Sequence, residues 1–189
     1  IMKKYSLFFI GLFLSFLSIN AQNGSDQINP SNFNHQLFEK LIFEKVNEYR
    51  VANGCKPLKY DTIIYKVAKD HNDFLKNKTQ LTHDQPTPGK RTIQERLLHY
   101  LYVEKYSVGE NIARTFVLIP TYNYDKKGKT AISTAKTYNE AATYMLNTWM
   151  QSKYHNENIL NKKYTLGAIA AYFNPKDKSL TAVQVFANI

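Results

Sequence analysis

The residues with the most chemical reach lie in three separate stretches. His155 stands in Thr148-Trp149-Met150-Gln151-Ser152-Lys153-Tyr154-His155-Asn156-Glu157-Asn158-Ile159-Leu160, which holds the only tryptophan and sets Glu157 two residues after the histidine. His83 follows Leu81-Thr82, and Glu110 sits in Val108-Gly109-Glu110-Asn111-Ile112. Two histidines and a carboxylate can hold a divalent metal with positions left open for water, exchange protons with a bound molecule, or hydrogen-bond one another across a core. Spacing does not choose among these, because His83 and His155 are far apart in the chain and no HExxH or paired CxxC accompanies them.

Other chemistries find less support. There is no Gly-x-Ser-x-Gly elbow, the seven glycines form no phosphate cradle, and Ser152 has no activating base identified beside it. The lone Cys55 lies in a helix-ending turn with only Lys56 to favour a thiolate, so it reads as a small buried hydrophobe. One cysteine also rules out an internal disulfide. The formal net charge of +10 permits contact with anionic lipid or acidic glycan. The lysines are scattered, however, and no nucleic-acid motif is present, so nucleic acid is not an expected partner.

The elements that must position these groups follow a leader. Met2-Lys3-Lys4 and the apolar run from Tyr5 to Ile19 read as a signal peptide over residues 1–21, cut after Ala21. The run is short of the ~20 residues a spanning helix needs, so the mature chain is expected to be exported, to the periplasm or beyond the cell. Residues 22–36, rich in Asn, Ser, Asp and Pro, read as a flexible N-terminal segment. Residues 37–189 are then one domain.

From His35 to Asn53, Phe38, Ile42, Val46 and Tyr49 recur at helical spacing, and Asn53-Gly54 closes the helix. Asp61 is a good cap for a second helix reaching Asn77, with Ile64, Val67, Ala68, His71, Phe74 and Leu75 inward. His71 on that stripe is expected to be a hydrogen-bonded core histidine. His83, in the polar segment from Thr79 to Lys90, is loop-borne, as functional groups often are. Thr92 to Val103 can form a third helix with Ile93, Leu97, Leu98 and Leu101 inward, and Tyr106 to Ala113 is β-like. Residues 115–134 read as a surface excursion or hairpin turning near Tyr124-Asp125-Lys126-Lys127-Gly128-Lys129. Ser133 can cap a fourth helix running to about Met150 with Trp149 inward. Strands at 166–173 and 180–187 flank a turn at Asn174-Pro175. The fold expected is α+β, helices packed on a small antiparallel sheet.

Val46-Asn47-Glu48-Tyr49-Arg50 with Pro57-Leu58, then Thr82-His83, Gly109-Glu110-Asn111-Ile112-Ala113, and Trp149-Met150-x-Ser152-x-x-His155-x-Glu157-Asn158-Ile159-Leu160 resemble the CAP superfamily. That superfamily holds cysteine-rich secretory proteins, antigen 5 and pathogenesis-related proteins (the SCP domain), and the match is to its short bacterial branch. The resemblance spans roughly Leu37 to Phe186. It implies an α-β-α sandwich and a cleft with two histidines and two glutamates, matched here by His83, His155 and Glu110. It implies a divalent metal, zinc first, at His83 and His155, and otherwise no cofactor. The second glutamate of the pattern is replaced by Ser152, and Glu157 is the nearest substitute. In an extended segment Glu157 would point the same way as His155; in a helical turn it would not. Gln184 matches a strand position near the cleft.

The leading expectation is an exported protein whose cleft, formed by His83, Glu110, His155, Glu157 and Gln184, binds a ligand such as a lipid, peptide or envelope glycan. One rival is a metal-assisted hydrolase in which Glu110 or Glu157 takes a proton from water. The other is a lipid or envelope-binding module that touches the membrane surface through basic residues and Tyr122 and Tyr124.

Overall fold

Asn34 starts the first helix by accepting the Leu37 N–H at 3.0 Å, one of the donors a helix leaves unpaired at its start. The computed structural model describes residues 22–125 and 128–189; the leader expected over residues 1–21 lies outside the described residues. In α1 (His35–Ala52) Phe38, Ile42 and Val46 are fully buried at successive turns, and Arg50 continues the same stripe. Burying each large apolar side chain is worth roughly 1.5–3 kcal/mol.

The remaining order is β1 (Lys59–Tyr60), α2 (Thr62–Leu75), α3 (Ile93–Tyr100), β2 (Ser107–Phe116), β3 (Leu118–Asp125), β4 (Gly128–Ala135), α4 (Tyr138–Met150), α5 (Lys153–Ile159), β5 (Leu166–Asn174) and β6 (Ser179–Asn188). The main sheet runs β1-β5-β6-β2, antiparallel among β5, β6 and β2, with β1 pairing parallel to β5 at two positions. Side chains alternate between the faces of β6. Leu180, Ala182 and Phe186 join the core under α1 and α4, while Val183, Val185 and Ala187 join the core under α2 and α3. The architecture is therefore α+β, an α-β-α sandwich with β2 at one rim of the sheet.

Several boundaries differ from expectation for identifiable reasons. Residues 128–135 pair with β3 to complete a hairpin, so Ser133 lies in a strand and does not cap α4. Thr137 does so instead: its hydroxyl accepts the Glu140 N–H at 3.2 Å and the Glu140 carboxylate accepts the Thr137 N–H at 2.7 Å, a reciprocal capping box. Helix α3 stops at Tyr100, Leu98 is 44% exposed, and the fully buried Arg96 takes the inward position beside Leu97. Helix α2 ends at Leu75, short of Asn77.

Of the segment expected to be flexible over 22–36, residues 22–34 form a strap and 35–36 open α1. The Ile28, Tyr138 and Asn139 N–H groups donate to the carbonyls of Lys136, Asp26 and Gly24 at 2.9, 3.2 and 2.8 Å, so the strap satisfies the start of α4. Ile28 is 2% exposed and Phe33 stacks on Phe173 at 5.0 Å. Backbone bonds and two isolated apolar anchors leave no periodic signature, which is why composition suggested disorder.

Cys55 is buried, its Sγ 3.3 Å from the Leu160 carbonyl. Arg50 joins distant segments. Its guanidinium donates to the carbonyls of Lys56 (3.0 Å), Asn161 (3.2 Å), Tyr164 (3.1 Å) and Ile159. Replacing it with methionine keeps the apolar stem but leaves four carbonyls without this donor. Arg50→Met should lower unfolding stability by about 3 kcal/mol or more; a urea midpoint unchanged from wild type would show that the clamp is dispensable.

Candidate functional site

Among the described residues, strand β2 has a hydrogen-bonded neighbour, β6, on one side only. Alternation sends Val108, Glu110 and Ile112 toward α2 and α3, and Asn111 and Ala113 toward α4 and α5. Glu110 and Asn111, adjacent in sequence, thus reach around opposite faces of the sheet's rim. Each holds one histidine-bearing segment.

Glu110 is buried, with its side chain only 2% exposed. Its Oε2 accepts from Arg96 at 2.8 Å and its Oε1 lies 2.9 Å from His83 Nδ1. Fully buried Arg96 also donates to the carbonyls of His83 (3.2 Å), Arg91 (3.0 Å) and Lys90 (3.4 Å), which fixes the loop that carries His83. His71, expected in the core, is fully buried. Its ring bridges Thr82 O and Gln85 Oε1 at 2.8 Å each, and Nε2 lies 3.9 Å from Glu110. Gln85 in turn donates to Asp70, which also accepts from Tyr100 at 2.7 Å and pairs with Lys90.

On the other face, Asn111 Nδ2 donates to the His155 carbonyl at 3.0 Å and its Oδ1 accepts from Asn158 at 2.9 Å. Asn158 reaches the Glu110 carbonyl as well, at 3.3 Å. Gly109 is needed for this approach: a Cβ there would stand 2.5 Å from the Tyr164 hydroxyl and 3.2 Å from Asn158 Oδ1. His155 Nδ1 is buried and makes no hydrogen bond among the described residues.

The two histidines are tuned in opposite directions. The hydrogen bond to Glu110 raises His83 above the ordinary histidine value, against the pull of partial burial. Desolvation lowers His155, and the nearby positive charge of His83 lowers it further. Of the two, His83 is therefore the one that holds a proton more readily and His155 the one that gives it up more readily. Glu110 orients His83 and leaves Nε2 as the ring nitrogen available to a ligand.

Two residues expected at the cleft stand elsewhere. The segment around His155 is helical, so Glu157 in α5 does not share a face with His155 and is exposed. The condition under which it would join the cleft, an extended segment, is not met. Gln184 is fully buried opposite Asn111 on β6, 3.5 Å from its amide. Ser152, which replaces the second glutamate of the CAP pattern, is the N-cap of α5. Among the described residues no three His, Cys, Asp or Glu side chains converge as a metal-holding group. Sequence reasoning passed over Arg96, whose signal was an arginine at a core-facing position one turn after Ile93, and Asn158, three residues past His155.

Comparison with known proteins gives a consistent result. The family model described as "Cysteine-rich secretory protein family" (CAP) matches residues 43–186. The uncharacterized protein YkwD of Bacillus subtilis (strain 168) is 30% identical over 128 residues, which cover 68% of this chain and 40% of that protein. The structure of an extracellular protein containing an SCP domain from Bacillus anthracis str. Ames aligns with a TM-score of 0.58 at 24% identity, over 82% of this chain and 41% of that one. An outer surface protein of Borrelia burgdorferi aligns with a TM-score of 0.59 at 16% identity, over 82% of this chain and 96% of that one. The chain thus spans less than half the length of the two Bacillus relatives.

Glu110→Gln separates charge from shape at this site. Losing the carboxylate while Arg96 remains should bring the His83 midpoint, followed by NMR of its ring proton, down to or below the ordinary histidine value. An unchanged midpoint would contradict the pairing. Because folding raises the His83 value, the pair's contribution to stability is complete below the unfolded value and fades as pH rises through the folded one.

Proposed function

The chain belongs to the cysteine-rich secretory protein (CAP) family, and on that premise we propose that it is exported and binds a ligand in the cleft over the rim of β2. A divalent metal, zinc first, is held there by His83 and His155. The observation that carries this reading is the Arg96-Glu110-His83 chain, which fixes one imidazole by its Nδ1 and leaves the other nitrogen to act. A carboxylate behind a histidine in this way raises its quality as a metal ligand.

Two imidazoles fit zinc in kind but fall short of the three protein ligands of a tight catalytic site. The metal is accordingly bound weakly, and the remaining positions belong to the ligand, a lipid, peptide or envelope glycan. Because His83 must give up a proton that Glu110 stabilises, affinity rises with pH. Export is supported by the descriptions of the relatives, one an extracellular protein and one an outer surface protein. Among the described residues no helix is long and apolar enough to cross a membrane.

Binding is favoured over turnover by the carboxylates. Both oxygens of Glu110 are engaged, by Arg96 and His83, and Glu157 is turned away in α5. Neither is placed to take a proton from a water molecule at the histidines.

Titration of the chelator-treated protein with zinc tests the reading. Heat of binding should be present at pH 7.5, weaker at pH 5.5, and absent in His83→Ala/His155→Ala. Equal binding by the double variant, or none by wild type, would overturn it. Zinc-dependent cleavage of a peptide library, lost in His83→Ala, would replace binding with hydrolysis as the function.

A further inference from the structure

At the opposite rim of the sheet, β1 covers β5 only at Leu166 and Gly167. Beyond these residues the outer edge of β5 faces a cavity of about 470 Å³ between α1 and α2. Its walls include Glu39, Phe43, Tyr60, Tyr65 and Ile169, with Lys40 and Glu44 on α1 also lining it. That volume lies within the range of small-molecule sites.

Three aromatic rings meet here at angles to one another. Phe43 and Tyr60 stand perpendicular with centroids 5.8 Å apart, and Tyr65 follows Tyr60 at 6.2 Å and 41°. Tyr60 is 53% exposed, so the group is not closed off as core. Glu39 reaches into the same space and accepts the Ala171 N–H from the β5 edge at 2.8 Å. Burial pushes the Glu39 carboxyl up to about 7, an effect that the Ala171 amide, the Tyr65 hydroxyl and the charge of Lys69 only partly offset. Lys40 lies 3.8 Å from Glu44 and pairs with that more exposed carboxylate. His35, Lys69, Asp73, Lys76 and Tyr172 line an adjoining cavity with Glu39, and Tyr60 is the other titratable group that senses its charge.

We infer that this cavity is a second binding site, for a compact organic cation of the quaternary ammonium class, held by the faces of Phe43, Tyr60 and Tyr65 and by the Glu39 carboxylate. Ring faces carry the negative end of the aromatic quadrupole, and angled rings around a carboxylate form a cage for a cation. Glu39 Oε1 already accepts the Ala171 N–H, and the walls of Phe43, Tyr60, Tyr65 and Ile169 offer π-faces and apolar surface more than acceptors for N–H groups. That suits a cation with no N–H groups. A primary ammonium, compact and strongly hydrated, would lose more water than the site replaces. The cation prefers an ionised Glu39, so binding strengthens as pH rises through about 7 and releases part of a proton.

Choline, compared with its neutral isostere 3,3-dimethylbutan-1-ol, tests the assignment by calorimetry and ligand-observed NMR on the purified protein. Choline should bind at millimolar concentration and the isostere more weakly. Tyr60→Leu should weaken choline about two- to fivefold and leave the His83 titration unchanged. Affinity should climb from about pH 6 to about pH 8 in wild type and stay flat in Glu39→Gln. Co-flotation with phosphatidylcholine but not phosphatidylglycerol vesicles would assign the cation to a lipid headgroup; binding of free choline alone would assign it to a solute, and either supports the site. Equal binding of choline and its isostere, or no choline binding at millimolar concentration, would overturn it.

Discussion

Everything at the candidate cleft depends on two adjacent residues pointing to opposite faces of one rim strand. Glu110 and Asn111 in β2 do this because side chains alternate along a strand, and they can reach around the sheet because, among the described residues, no further strand covers that side. Glu110 grips the ring of His83 from one helix layer, and Asn111 grips the backbone of His155 from the other. A slip of one residue in the β2–β6 register would exchange the faces and separate the histidines. The long antiparallel pairing from Ser107 opposite Asn188 to Phe116 opposite Ser179 guards that register.

Two buried arginines complete the arrangement, and their energetics differ from those of the apolar core. A buried charge is costly to desolvate and is tolerated only when its hydrogen-bonding groups are filled. Arg96 meets most of this through its two terminal nitrogens, with the Glu110 carboxylate and three loop carbonyls, while its buried Nε makes no hydrogen bond among the described residues; Arg50 is met by four carbonyls alone. Among the acceptors of Arg50 is Ile159, the last residue of α5, where a positive charge complements the helix dipole. One arginine therefore fixes the loop of His83 and the other fixes the helix of His155. Their return is geometric: apolar side chains in their places could fill space but could not hold irregular backbone to a set position.

The parts legible in the sequence are those that depend on local period. The stripes of α1, α2 and α4 and the closing pair β5 and β6 follow from apolar spacing, and the α+β class follows from their order. The strap over residues 22–34 was not legible, since it is held by backbone bonds to α4 and by Ile28 and Phe33. The start of α4 was misplaced to Ser133 because pairing with β3, a contact invisible to local period, takes that residue into a strand. At the site, His83, Glu110 and His155 stood out by residue type and by resemblance to the CAP superfamily. Their meeting rests on β2 lying at the rim, which no single stretch encodes. Glu157 turned on whether its segment is helical, and Gln184 on which face of β6 it occupies.

The proposed cleft requires the two histidines to sense each other: burial lowers His155, and the charge of His83 lowers it further. The most direct measurement is an NMR titration of the His155 ring in wild type and in His83→Asn, without metal. If the two rings share one cleft, removing the positive neighbour raises the His155 midpoint toward the ordinary histidine value, with the remainder of its depression kept by burial. An identical midpoint in the two proteins would show that the histidines do not sense each other and would contradict the convergence on which this account rests.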